Sequence, residues 1–287
     1  MSESPPQPRI VAGITTRNRA PILPRALDSL RAAGRDGLRI VVLDDGSTDG
    51  TSALAARYPE FEWRRHETAR GIIESRNELM READAKYFLC LDDDAWFVRG
   101  DELALAIARL EADPRIAAIA FDILSPDRPA ESPRGRPRPT TMYIGCGHVL
   151  RLSAVREAGF YAATPGVYGS EEKDLCLRLA DRGYRVELLP GVHVWHEKAW
   201  SGRDNRPLHR SGVCNELVMT VRRCPLPALL AVLPAKLFSY LGFWIRRPHY
   251  FAAGVAGVLD AVRHGPMAWR TRHPVRVATF WRFTRGR

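Results

Sequence analysis

Three consecutive aspartates, Asp92-Asp93-Asp94, directly follow the apolar run Tyr87-Phe88-Leu89-Cys90-Leu91. Such a run makes a buried strand, and a strand interior cannot hold three neighbouring charges, because each is costly to bury unpaired. The carboxylates therefore stand where the strand leaves its sheet, the edge at which open α/β sheets bind ligands. Hard divalent ions prefer oxygen ligands, and Mg2+ combines one or two carboxylates with substrate phosphates. A solvated acidic turn would use the same residues, but the apolar strand in front favours an ion. Asp44-Asp45 closes another apolar run, 38–43, in the same manner. A third acidic cluster, Glu171-Glu172 with Asp174, opens an amphipathic helix behind Ser170. Capping by Ser170 and complementation of the helix dipole account for one or two of these acids. A carboxylate held at a helix start beside a cleft is also how a general base is presented. His196 follows the alternating segment 192–197 and is either a structural histidine or a metal ligand.

These groups need a scaffold that brings distant segments together. Residues 9–16, 38–43, 61–66, 87–91 and 116–121 read as strands. Between them, 20–33, 51–58, 72–83 and 101–112 read as helices; in the first, Ile22, Leu23, Ala26, Leu27 and Leu30 recur at helical spacing. Repeated strand–helix alternation predicts an α/β fold with a mostly parallel sheet flanked by helices and right-handed crossovers. One sheet edge would then collect Thr16 to Arg19, Asp44-Asp45 and Asp92 to Asp94. Residues 125–140, rich in Pro and Arg, predict an exposed mobile loop, serving as a lid or as a plain surface excursion. A strand over 141–152, a short helix over 152–158 and a strand over 184–188 complete the core.

At 287 residues the chain is one large domain or one domain with an appendage. Residues 1–9 contain Glu3 and several prolines but no apolar run, so no secretory signal is expected. The five cysteines form no CxxC, which argues against zinc and for reduced thiols in a cytoplasmic protein. The net charge of +10 is unevenly placed: from residue 201 onward there are 15 basic residues against three acidic ones.

Taken together, Thr16-Arg17-Asn18-Arg19, Asp44-Asp45-Gly46-Ser47-Thr48-Asp49, Gly71 with Arg76-Asn77, Asp92-Asp93-Asp94 and Glu171-Glu172-Lys173-Asp174-Leu175-Cys176-Leu177-Arg178 resemble the ordered motifs of family 2 inverting glycosyltransferases. The resemblance covers roughly residues 9–200 and implies the GT-A fold. It implies a catalytic domain over 1–200, with nucleotide-sugar binding over 9–121 and an acceptor and base region over 141–200. It places Thr16, Arg19, Asp44 and Asp45 around base and ribose, and Arg76 near the base or diphosphate. Asp92 and Asp93 would face the nucleotide sugar. Asp94, with Asp92 and His196, would hold Mg2+ or Mn2+. Glu172 stands on the position of the catalytic base, where the family commonly has Asp, and Asp174 is the alternative.

The implied reaction moves a hexosyl or deoxyhexosyl group, with inversion, from a UDP-, dTDP- or GDP-linked donor to a hydroxyl of a glycan, glycolipid or secondary metabolite. Two rival functions fit the sequence less well. A sugar-phosphate nucleotidylyltransferase lacks its Gly-rich, Lys-containing phosphate loop after the first strand. A non-catalytic binder of membrane or nucleic acid would leave the acidic pairs without purpose, and nucleic acid is disfavoured.

The basic extension over 201–287 predicts a mostly helical segment. Its apolar run 226–245 is interrupted by Pro227, Pro234 and Lys236, which argues against a spanning helix. Alternating aromatic and basic residues beyond it suit an anionic bilayer at the inner face of the cell membrane. A helical extension packed on the core, with a merely solvated basic face, is the other reading.

Overall fold

The computed structural model describes residues 9–33, 37–198 and 204–286. Residues 1–8, within the segment where no secretory signal is expected, and the expected boundary at 200/201 lie outside the described residues. The chain forms two compact units, Met1–Phe160 with Gly183–Ala199, and Tyr161–Arg182 with Trp200–Arg287. The segment 161–182, with its acidic helix start, thus belongs to the same unit as the C-terminal helices.

The first unit is α/β. Its strands are β1 (Ile10–Thr16), β2 (Leu38–Asp44), β3 (Glu62–Arg65), β4 (Tyr87–Leu91), β5 (Ala95–Phe97), β6 (Ile116–Leu124), β7 (Arg138–Thr140), β8 (Gly147–Arg151) and β9 (Arg185–His196). Its helices are α1 (Leu23–Ala32), α2 (Ile72–Glu82), α3 (Glu102–Ala112) and α4 (Leu152–Ala158). The strands form one nine-stranded sheet in the order β3-β2-β1-β4-β8-β6-β9-β5, with β7 also paired to β9. β1, β2, β3, β4, β6 and β9 run one way, while β5, β7 and β8 run the other. The sheet is therefore mostly parallel, as expected.

Apolar periodicity explains most of these elements. In α1, Leu23, Ala26, Leu27 and Leu30 face the core, and a proline in its first turn presets φ for the helix. β4 and β6 are buried along their whole length, which is why their sequences, Asp122 apart, are apolar without alternation. Gly13 in β1 has its own reason. A Cβ there would lie 2.3 Å from Cζ of the buried Phe88 ring.

Several sequence-based expectations need correction. The helix expected over 51–58 is only a short 3-10 turn, Ser52–Ala56, because Pro59 disfavours helical backbone at Tyr58. The strand expected over 141–152 is confined to β8. The segments expected over 184–188 and 192–197 merge into one strand, β9 (Arg185–His196), whose register shifts opposite Phe121 and Asp122, next to Gly191 with its positive φ of 71°. β5 has only three residues and is recognisable as a strand through its partner β9. The segment expected as a loop over 125–140 is mostly exposed, ends in β7, and is anchored by side chains and backbone. Ser132 Oγ donates to Asp122 (2.5 Å), Arg134 pairs with Asp101 (2.6 Å), and Gly135 N–H donates to the Pro190 carbonyl (3.1 Å).

The second unit is helical: α5 (Glu171–Asp181), α6 (Arg206–Arg223), α7 (Leu226–Arg246), α8 (Phe251–Arg270) and α9 (Val277–Thr284). α6 carries no single apolar stripe in the sequence because it has neighbours on several sides. Val213 and Leu217 meet Trp244 of α7, while Cys214 and Val218 meet Ala268 of α8. Glycines permit the close crossings: a Cβ on Gly257 would lie 2.5 Å from the Arg210 carbonyl oxygen. α5 shares a cluster with α7 and α9 through Leu177, Leu229 and Phe280. No disulfide joins the five buried cysteines.

Gly13→Ala should destabilise the protein by about 1–3 kcal/mol through overpacking against Phe88. Denaturant unfolding checks this, and Gly13→Ala combined with Phe88→Leu should recover part of the loss.

Candidate functional site

The strand order reverses between β1 and β4, and at such a switch the carboxyl ends of adjacent strands diverge to leave a crevice. The expected residues meet at this edge. Thr16 and Asp44 are register partners at the ends of β1 and β2, and Asp45 N–H donates to the Thr16 carbonyl (2.8 Å). The loops then interlock. Asn18, at a positive φ of 54°, donates its N–H to Ser47 Oγ (2.9 Å), and Arg19 N–H donates to Thr51 Oγ1 (2.9 Å).

Each of the three consecutive aspartates meets a different basic side chain. Asp92 accepts from Arg76, whose guanidinium also reaches the Gly145 carbonyl (3.4 Å). Asp93 lies 3.6 Å from Arg19 Nε. Asp94 lies 3.2 Å from His196 Nε2. Burial pushes the Asp93 carboxyl up to about 7, against the opposing pull of the Thr16 hydroxyl and the Arg19 guanidinium. Asp92, Asp94 and His196 each offer a ligand atom, and these atoms lie within 4.8 Å of one another. Two carboxylates and an imidazole at that spacing are a ligand set that fits a hard divalent ion. The clamp that sets this spacing is backbone: Ala95 pairs with His196, and Glu197 N–H donates to the Asp94 carbonyl (2.9 Å).

Asp44 and Asp45 are buried, and both carboxylates are engaged in shaping loops. Asp44 accepts from Ser47 N–H (2.8 Å) and from the Ser52 hydroxyl. Asp45 accepts from Arg70 N–H and Gly71 N–H (2.8 Å each) and lies 2.8 Å from His66 Nδ1. Burial acts to raise the Asp45 carboxyl, but these hydrogen bonds outweigh it and hold the group below its usual range. By gripping Gly71, Asp45 fixes the start of α2, the helix that carries Arg76 to Asp92.

In the second unit the three acids of α5 have different surroundings. Glu171 is buried and accepts from Gly169 N–H (2.5 Å). Asp174 is buried between Arg178 (2.7 Å) and Arg223 (2.6 Å). Glu172 lies in the first turn and is partly exposed. The expected cap is corrected: Ser170 adopts a left-handed φ of 74° and donates its hydroxyl to Glu216 (3.1 Å) instead of capping α5.

The model of the family described as "Glycosyl transferase family 2" matches residues 12–163, more than half of the chain. The chain belongs to glycosyl transferase family 2. It is 28% identical over 212 residues to the pre-mycofactocin glycosyltransferase of Mycobacterium tuberculosis, covering 67% of this chain and 43% of that protein. The chain thus spans less than half the length of the curated relatives it matches. Among solved structures it is similar to the mannosyltransferase PcManGT from Pyrobaculum calidifontis in complex with GDP-Man and Mn2+, with a TM-score of 0.64, 18% identity, and 89% and 87% of the two chains covered. It is also similar to S. aureus TarS 1-349 in complex with UDP-GlcNAc, with a TM-score of 0.62, 15% identity, and 85% and 79% covered. At these identities the likeness is one of fold, the GT-A fold.

The family motifs are therefore built into one crevice edge in the first unit and one helix start in the second. Sequence reasoning missed His66 and Glu78, which lie 3.0 Å apart through His66 Nε2 and buttress Asp45. It also missed Arg223, the partner of Asp174 across 49 residues. Neither carries a local signal, because each partnership is long-range.

Two predictions arise from this geometry. Asp94→Ala or His196→Ala should weaken Mn2+ binding by more than about 100-fold, beyond the usual effect of disturbing an outer-shell partner; titration calorimetry with Mn2+ alone measures it. Because the Asp45 carboxyl is held low, its stabilising contribution is fully present above the unfolded pKa of about 3.9 and is lost as pH falls through the lower folded value. The stability gap between wild type and Asp45→Asn, measured by denaturant unfolding, should therefore shrink as pH falls below about 4.

Proposed function

We propose that this chain is a metal-dependent inverting glycosyltransferase. It would transfer a hexosyl or deoxyhexosyl group from a UDP-, dTDP- or GDP-linked donor to a hydroxyl of a glycan, glycolipid or secondary metabolite. The observation that carries the reading is the convergence of Asp92, Asp94 and His196 at the switch-point edge of a family 2 chain. A divalent cation, Mg2+ or Mn2+, held by these three residues would neutralise the charge of the departing diphosphate.

The chain's own groups take the remaining roles. Arg76 is positioned to hold Asp92 in its ligating orientation. Thr16, Arg19 and Asp93 line the donor side of the crevice, while Asp44 and Asp45 shape the loops that would receive base and ribose. Glu172 is the general base. It takes the proton of the acceptor hydroxyl while the oxygen bonds to the anomeric carbon and the bond to the diphosphate oxygen breaks on the opposite face. One such displacement inverts the anomeric centre. Asp174 is the weaker candidate, because Arg178 and Arg223 occupy both of its oxygens. The work would be done in the cytoplasm, with the protein peripheral to the inner face of the membrane.

The packing of α5 also bears on the extension over 201–287. Asp174 bonds Arg223 of α6, and Leu177 packs with Leu229 and Phe280. Removing the extension would strip the base helix of these supports. Point substitution is the cleaner test. Glu172→Gln should lower kcat for transfer by about 10²–10⁴-fold, the usual worth of a general base, while donor affinity is kept. Asp174→Asn should instead lower the melting temperature. If Glu172→Gln turns over normally, the base assignment fails.

A further inference from the structure

We infer that the α7–α8 face of the second unit is a docking surface for an anionic lipid bilayer, lying in its plane. The inference deepens the peripheral location stated above and does not depend on glycosyl transfer.

α7 is a 21-residue helix long and apolar enough to cross a membrane, yet only 17% of its apolar stretch is buried. It is therefore not the core helix of this unit. Its outward stripe is apolar: Leu230 and Phe238 are each 78% exposed and Ile245 72%. α8 repeats the pattern, with Phe251, Leu259 and Val262 all exposed at helical spacing. Water-exposed apolar side chains in this number along two helices mark an interaction surface.

The helix is also fastened on its inner side. Lys236, near its middle, pairs with Glu216 of α6, which Lys173 also reaches (2.7 Å). Trp244 is buried, and its Nε1–H donates to His209 of α6 (2.8 Å). A helix bonded to a folded unit along one side and bare along the other fits a bilayer surface, with one side in the headgroup and acyl boundary.

Charge selects the occupant. From residue 246 to the end there are nine arginines and one acid, Asp260. Arg246, Arg270 and Arg282 are exposed and have no carboxylate partner among the described residues. Exposed Trp269 and Trp281 carry Arg272 and Arg285 over their rings, at 5.0 and 5.8 Å. Aromatic rings beside guanidinium groups suit the headgroup region. A second copy of the chain would bring two such arginine sets together and be repelled. An anionic lipid surface neutralises them, at about 1 kcal/mol per cation.

The test is vesicle flotation of the full chain on phosphatidylcholine vesicles with and without phosphatidylglycerol. Binding should require phosphatidylglycerol and weaken with added salt as screening shortens. Arg246→Gln, Arg270→Gln and Arg282→Gln together should lower partitioning on the order of 10²-fold, the product of three single-cation effects of about fivefold each. Leu230→Ser with Phe238→Ser should abolish the binding that survives high salt, and Trp emission should no longer shift to the blue on vesicle addition. Melting curves and Mn2+ titration of the same variants report whether fold and metal site are intact. Failure of vesicle binding with normal Mn2+ titration overturns the membrane inference alone. Concentration-dependent dimers without vesicle binding overturn it in favour of a second copy. Binding to neutral and anionic vesicles alike removes the electrostatic part and overturns it as stated.

Discussion

Three adjacent carboxylates at one strand end impose the main constraint on this molecule. Asp92, Asp93 and Asp94 cannot alternate harmlessly into solvent, because the strand before them is fully buried and the chain turns back into β5. Each carboxylate is matched by a basic side chain from a different element: Arg76 from α2, Arg19 from the loop after β1, and His196 from the end of β9. The surrounding architecture can be read as the means of delivering these three groups. Parallel pairing of β1 with β4 brings Arg19, and the β5–β9 pair brings His196. The compensation is partial. Asp93 remains raised to about 7, chiefly because burial disfavours its charged form.

The Asp44-Asp45 pair serves the same arrangement one layer out. Its oxygens accept backbone N–H groups of both neighbouring loops, so the end of β2 holds the loop over 46–52 on one side and the start of α2 on the other. α2 in turn holds Arg76. A motif at a strand end thus acts through the geometry of a helix about 30 residues later, which its own sequence does not announce.

In the second unit the logic is again burial of charge with compensation. Asp174 lies between two arginines, and Glu216 between two lysines. Groups held this way are committed to structure, and their partners come from α6 and α7. What remains partly exposed at the start of α5 is Glu172. All three acids lie in the first turn of one helix and are equivalent by dipole and propensity, so their different burial comes from tertiary packing.

The sequence by itself determined the main strands and the helices α1, α2 and α3 in residues 9–121, though not the 3-10 turn over Ser52–Ala56, because buried strands and amphipathic helices have different apolar periods. It also determined that the acidic clusters stand at strand and helix ends, since charge cannot be buried inside an apolar strand without partners. Four adjacent strands then had to gather Thr16, Asp44 and Asp92 on one edge. Elements shorter than a period or surrounded on several sides were not legible. β5 is a strand through its pairing with β9, and α6 lacks a stripe because α7 and α8 cover it from different sides. Tertiary structure alone decided that Arg76 grips Asp92, that Asp45 sets the start of α2, and that Arg223 pairs with Asp174. Each is a contact between residues far apart in the chain, and loop closure over such distances leaves no local pattern of spacing to read.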